Sequence, residues 1–179
     1  MRNEVFRTKW FTILEETLQE PPEFKNQKYF TLDEGNGVLI LPFTPEGKIL
    51  LVRQFRPPLK KWTWELPSGS IEKNECPAEA ANRELLEETG YECPSLEQLG
   101  NCSLASNRSS SIETIFLACN SKIKRDYSVG ETIEVGKFDL CEFKALVLKG
   151  KFIQMTALGI LLLASWRGKA IPNIHPLGD

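Results

Sequence analysis

Residues 69–91 read GSIEKNECPAEAANRELLEETGY, and this stretch decides how the rest of the 179-residue chain is understood. Pro77 suits the first turn of a helix, where its missing N–H costs nothing, and Gly90 stands where helices end in left-handed backbone. Alanines fill the interior between them. At 3.6 residues per turn, Glu84, Glu87 and Glu88 share one arc about 100° wide, while Ala78, Ala81 and Leu85 lie beside it and are expected to pack on a sheet. Three carboxylates on adjacent turns repel by a few tenths of a kcal/mol per pair on an exposed helix. Two readings stay open: an ordinary solvated acidic face, or a seat for a divalent cation. Hard carboxylate oxygens without imidazole or thiolate suit Mg²⁺ or Mn²⁺ rather than zinc.

Working outward, residues 37–43 form a continuous apolar strand, 44–47 a turn, and 48–55 the expected hairpin partner. Residues 62–65 alternate and stop at Pro67 and Gly69. Further strands are expected over 111–119 and 132–140. A closing helix over 152–167 is apolar on nearly every face, as in a helix wedged into a core or a subunit interface. Residues 1–35 read as extended and aromatic, interrupted by Pro21-Pro22. The sum is a mixed α/β, or α+β, domain with strands on both sides of one motif-bearing helix.

Composition removes several function classes. With 22 Lys+Arg against 24 Asp+Glu and a net charge of −2, the chain lacks the basic footprint of a nucleic-acid binder. His175 is the single histidine, which argues against a Ser-His or Cys-His pair and against imidazole-held zinc. Five cysteines, without CxxC spacing, read as reduced thiols in a reducing cytosol. Residues 1–19 have no apolar signal segment, and the apolar run 157–166 is short of the roughly 20 residues a bilayer span needs. A cytoplasmic protein with no nucleic-acid and no membrane partner is expected.

The stretch 69–91 resembles the Nudix box, GX5EX7REUXEEXGU with U an apolar residue. Gly69, Glu75, Arg83, Glu84, Leu85, Glu87, Glu88 and Gly90 stand on its fixed positions, and Tyr91 takes the last one. The resemblance implies the Nudix fold, a mixed β-sheet sandwiched between helices. Here residues 1–35 would be an N-terminal β extension serving dimerisation and substrate binding, and 36–179 the hydrolase domain. It implies a Mg²⁺ or Mn²⁺ cofactor with Glu84 and Glu88 as principal ligands. Glu87 would be a further ligand or act through water, and the Ser68 carbonyl would complete the site. Arg83 and Glu75 would orient the cluster, with Gly69 and Gly90 as structural glycines. Such a site neutralises a diphosphate and acidifies a bound water.

Likeness extends beyond the box. VRQFRP at 52–57, WELPSG at 64–69 and GETIEV at 130–135 look like the ADP-ribose and nucleoside-diphosphate-sugar pyrophosphatases. That implies Arg53 and Arg56 on phosphate or base, the plain alternative being a solvated strand edge. Phe30 and Trp64, with Tyr29 and Trp62, are candidates for stacking on a base or for the core. This branch carries a Pro-Gly pair and then an acid past the box; residues 103–111, SLASNRSSS, carry neither. Arg108 and its hydroxyl neighbours could meet another sugar or a phosphate instead. With no usable histidine, a carboxylate or metal hydroxide must serve as base. Glu131 stands as base, metal ligand or both, Glu134 is the fallback, and Glu87 is the other candidate catalytic acid. The expected activity is hydrolysis of a nucleoside diphosphate sugar, ADP-ribose-like, to a nucleoside monophosphate and a sugar phosphate, by a homodimer. Alternatives are a nucleoside triphosphate or dinucleoside polyphosphate substrate, or a binding module without catalysis.

Overall fold

The structure is a computed structural model that describes residues 2–124, 127–130 and 132–169. Three strands, β1 (Arg2–Arg7), β2 (Thr12–Thr17) and β3 (Lys28–Asp33), form an antiparallel meander. Every residue of β1 is exposed, so this sheet hides little of its own apolar surface. Strand β4 (Gly37–Pro42) follows, then β5 (Ile49–Arg56), β6 (Lys61–Glu65), β7 (Ser68–Ser70), helix α1 (Pro77–Thr89), and strands β8 (Tyr91–Glu92), β9 (Leu96–Cys102) and β10 (Glu113–Ala118). The last elements are β11 (Lys122–Ile123), β12 (Glu134–Phe138), α2 (Leu140–Leu148) and α3 (Met155–Trp166).

A run of apolar residues with no polar alternation must be covered on both faces, and β4 is buried along its whole length. Val38 and Ile40 turn to Ala80, Ala81 and Leu85 of α1, together with Phe116 and Ala118. Leu39 and Leu41 turn the other way, to Phe143 of α2, Phe152, and Ala157 and Ile160 of α3. Helix, sheet, helix is the resulting layering. The sheet has the order β7-β4-β10-β9, with β4 and β10 parallel, and a second sheet has the order β12-β5-β6.

Several expectations change. Strand β5 is not the hairpin partner of β4: only the Phe43–Ile49 bridge joins them. Both hydrogen-bonding edges of β4 are taken by β7 and β10, so β5 crosses into the second sheet. The expected strand 132–140 is confined to Glu134–Phe138 because Asp139 caps α2, accepting from the Glu142 N–H at 2.8 Å while the Asp139 N–H donates to the Glu142 carboxylate at 2.8 Å. Phe152 precedes α3 and bridges Trp64 instead. On α1 the buried alanines are Ala80 and Ala81, and Ala78 is exposed. No helix among the described residues is long and apolar enough to cross a membrane.

Candidate active site

Helix α1 is fixed at both ends by local chemistry. The Cys76 N–H donates to the Glu79 carboxylate at 2.8 Å, Pro77 holds the first turn, and Gly90 closes the helix at φ 73°. Those caps set the helix phase, and the phase sends Leu85 into the core and the glutamates toward the loop before the helix.

Arg83 organises that loop. Its Nε and Nη2 make a fork onto Glu75 at 2.9 and 3.0 Å, and Nη2 also donates to the Ser70 carbonyl at 2.9 Å. Nη1 reaches Glu84 at 2.6 Å and Glu87 at 3.2 Å. A planar guanidinium is suited to holding several carboxylates at once. Its bond to Arg83 holds the Glu75 carboxyl below the usual range. Glu84 goes the other way: burial raises it, and Arg83 only partly offsets this.

Glu88 is the most perturbed acid among the described residues. It accepts from the Ser68 N–H at 3.0 Å and from the Gln54 side-chain amide at 2.9 Å. Burial pushes its carboxyl up to about 7, with the Glu84 charge adding to the rise and the Ser68 and Gln54 bonds opposing it. Burial raises both carboxyls, the Glu84 charge adds to the rise of Glu88, and their hard oxygens fit a divalent cation. Among the described residues no three His, Cys, Asp or Glu side chains converge as a metal cage. Arg83 Nη1 contacts both Glu84 and Glu87.

Gly69 is needed where it stands. A Cβ there would lie 2.0 Å from Glu84 Oε1, so any side chain drives the Glu84 carboxylate off the loop. Gly69→Ala is therefore expected to cut activity by at least about tenfold with little loss of stability, because only the far end of the Glu84 side chain must give way. Steady-state rates and thermal melts check this, and unchanged rates would count against it.

Strand alternation separates the two arginines of β5. Leu50, Val52, Gln54 and Arg56 share a face, and Gln54 bonds Glu88. Arg56 lies on this side too, where the nearby Glu88 charge helps hold its proton. Its Nε donates to Glu65 at 2.9 Å, and Thr63 also bonds that carboxylate. Burial pushes Glu65 up, but the bonds from Arg56 and Thr63 outweigh it and leave the carboxyl below its ordinary value. Arg53 lies on the opposite face, over the rings of Trp62 at 5.5 Å and Trp64 at 6.0 Å, and pairs with Glu134 at 2.8 Å. Trp64 packs edge-on against Phe138 at 4.9 Å.

The remaining expected residues lie around the N-terminal sheet. Phe30 is exposed on β3. Arg108 stacks over Tyr29 at 5.6 Å, and the Leu32 N–H donates to the Arg108 carbonyl at 2.8 Å, so the 103–111 loop is stitched to β3. Glu131 lies outside the described residues. Three residues escaped the sequence reading in any such role: Gln54, Glu65 and Glu113. The first was legible, because it lies two residues from Arg56 on an alternating strand. Glu113 is half-buried against Gly37, where a Cβ would lie 2.3 Å from its Oε2, and burial raises its carboxyl.

Helix α1, capped at both ends, thus presents Glu84 and Glu88 to the loop at Ser68–Gly69. The chain matches the NUDIX domain family over residues 33–154 and belongs to it. It is a Nudix hydrolase. An ADP-ribose pyrophosphatase of Bacillus subtilis is 35% identical over 131 residues, 72% of this chain and 71% of that protein. A GDP-mannose pyrophosphatase of Yersinia enterocolitica is 28% identical over 182 residues, 94% of this chain and 95% of that one. The fold resembles a solved ADP compounds hydrolase with a TM-score of 0.78 at 21% identity, covering 97% of this chain and 95% of the other.

Proposed function

We propose that this chain hydrolyses the diphosphate link of a nucleoside diphosphate sugar, ADP-ribose-like, releasing a nucleoside monophosphate and a sugar phosphate, with Mg²⁺ or Mn²⁺ as cofactor. The observation that carries this reading is Glu88, pinned by Ser68 and Gln54 beside Glu84 and raised to about 7. The names of the Bacillus and Yersinia relatives support the substrate class.

Glu84, Glu88 and the Ser68 carbonyl would hold the metal, with Glu87 a further ligand or a catalytic acid acting through water. Bound there, the cation neutralises the diphosphate and lowers the pKa of a water. Arg83 and Glu75 hold the glutamates in register. Arg56, fixed by Glu65 on the same face as Gln54, is placed to receive a phosphate oxygen. Glu131 is our candidate for the base that takes the water's proton, a role open to a carboxylate. Phe30 and the Arg108–Tyr29 stack are candidates for the base or sugar end. All five cysteines are free, which fits a reducing compartment such as the cytoplasm.

A panel of nucleotide sugars, nucleoside triphosphates and dinucleoside polyphosphates, assayed with Mg²⁺ and again after chelation, tests this. Cleavage of ADP-ribose or a GDP-sugar, abolished by chelation, is expected. Turnover confined to triphosphates would overturn the substrate class, and turnover that survives chelation would overturn the metal.

We also propose a homodimer joined through the N-terminal sheet. Trp10 is 71% exposed, and Val5, Phe6 and Phe30 are exposed with it. Apolar surface of this kind on a soluble chain is most often buried on a symmetric partner. Sedimentation at micromolar concentration should give twice the 20.3 kDa chain mass. A fully active monomer would reject the dimer.

A further inference from the structure

We propose that the face of the β5–β6 hairpin turned away from the glutamates is a second nucleotide-binding site, taking a base on Trp62 and a phosphate on Lys151. Arg53 and Trp64 are cross-strand partners, as are Phe55 and Trp62, so these four side chains share one face. Between that face and Leu146, Lys151 and Ile153 lies a groove of about 560 Å³, a volume in the range that holds small ligands. A smaller recess of about 270 Å³ continues it past Arg53 toward Thr132 and Glu134.

The chemistry selects a flat, anionic ligand. Trp62 is 51% exposed and meets Phe55 edge-on at 5.8 Å, which leaves ring surface open for stacking. The Arg53 guanidinium, 5.5 Å from the Trp62 ring and anchored by Glu134, adds a second planar wall. Lys151 lines the same groove and enters no ion pair among the described residues, whereas Lys61, the cross-strand partner of Arg56, belongs to the glutamate face and meets the groove only at the open edge of β6. Aromatic rings beside unpaired cations are how proteins hold a base with its phosphate when sequence or sugar is not being read. An acidic peptide would use the lysine but leave the rings idle. The expected partners Arg53 and Trp64 belong to this groove rather than to the glutamate face.

Occupancy would be felt across the hairpin. Strand β5 carries Arg53 on one face and, one residue on, Gln54 bonded to Glu88 on the other.

AMP is the probe, titrated in chelator and followed by tryptophan fluorescence, with adenosine and inorganic phosphate as separate arms. Saturable quenching by AMP is expected, weaker with adenosine and absent with phosphate. Trp62→Ala and Lys151→Glu, each checked for fold by circular dichroism, should weaken AMP at least tenfold, as read directly from the titration. Arg56→Gln, which strips the phosphate contact on the glutamate face, should leave AMP affinity within twofold. Lys151→Glu should also keep wild-type turnover in the absence of AMP. Affinity unchanged in both groove variants, affinity lost with Arg56→Gln, or turnover lost with Lys151→Glu would overturn the second site. So would a change of oligomeric state in Trp62→Ala without AMP, which would identify the groove as a contact between copies. These outcomes do not depend on which nucleotide sugar is hydrolysed.

Discussion

Replacing Glu88 by glutamine should lower turnover by about a hundredfold to a thousandfold while leaving the protein folded. The loss follows from removing a charged oxygen from the face where a diphosphate needs its charge countered. The fold should survive because both bonds of Glu88 can be kept. The Ser68 N–H finds an acceptor in the new amide oxygen, and Gln54, which now donates at 2.9 Å, can turn its own carbonyl toward the new NH₂. Repulsion with Glu84 disappears at the same time. Hydrolysis of ADP-ribose over a Mg²⁺ titration checks this, and wild-type turnover at saturating Mg²⁺ would remove Glu88 from the metal site.

What could be read in the sequence tracks how local each determinant is. Helix α1 is capped by its own neighbours and carries its periodicity within thirteen residues, so its ends and its acidic arc were legible. The pairing of β4 was not. An apolar run says that both faces are covered, and the turn at 44–47 suggests a hairpin, but which strands occupy the two edges depends on β7 and β10, far along the chain. Helix α2 was missed although its signal was present, an Asp139 cap with Glu142 three residues on. The strand expected over 132–140 runs across that cap, and residues 141–151 carry no expected element.

The two arginines of β5 show a finer limit. Side chains three residues apart on a strand must lie on opposite faces, so Arg53 and Arg56 could never have shared one phosphate from a regular strand. The period was in the sequence, but which face meets the glutamates was not; Gln54 decides it by bonding Glu88. Glu65 and Glu113 had no signal at all, because burial of an acid is set by the packing around it.

The metal-free protein should be most stable near pH 5 and lose stability as the pH rises toward 8. In the unfolded chain Glu88 titrates near its ordinary value of 4.5, whereas burial in the fold lifts it to about 7. Between those values the folded state holds a proton that the unfolded state releases. The stability this contributes is complete below the ordinary value and is lost as pH rises through 7. Burial also raises Glu84 and Glu113, with the same sign. Glu65 and Glu75 are held down, so their contributions are lost only in acid and stay flat across this window. For Glu88 alone the loss amounts to at most about 3 kcal/mol, or roughly 10 °C in melting temperature for a chain of this size. Mg²⁺ binding only the deprotonated carboxylates should recover more of the melting temperature at pH 8 than at pH 5.5. Thermal melts in chelator across this range, run beside Glu88→Gln, separate this group from the rest. The variant should show the shallower slope, and equal slopes would mean that Glu88 is not the acid whose burial the bound cation relieves.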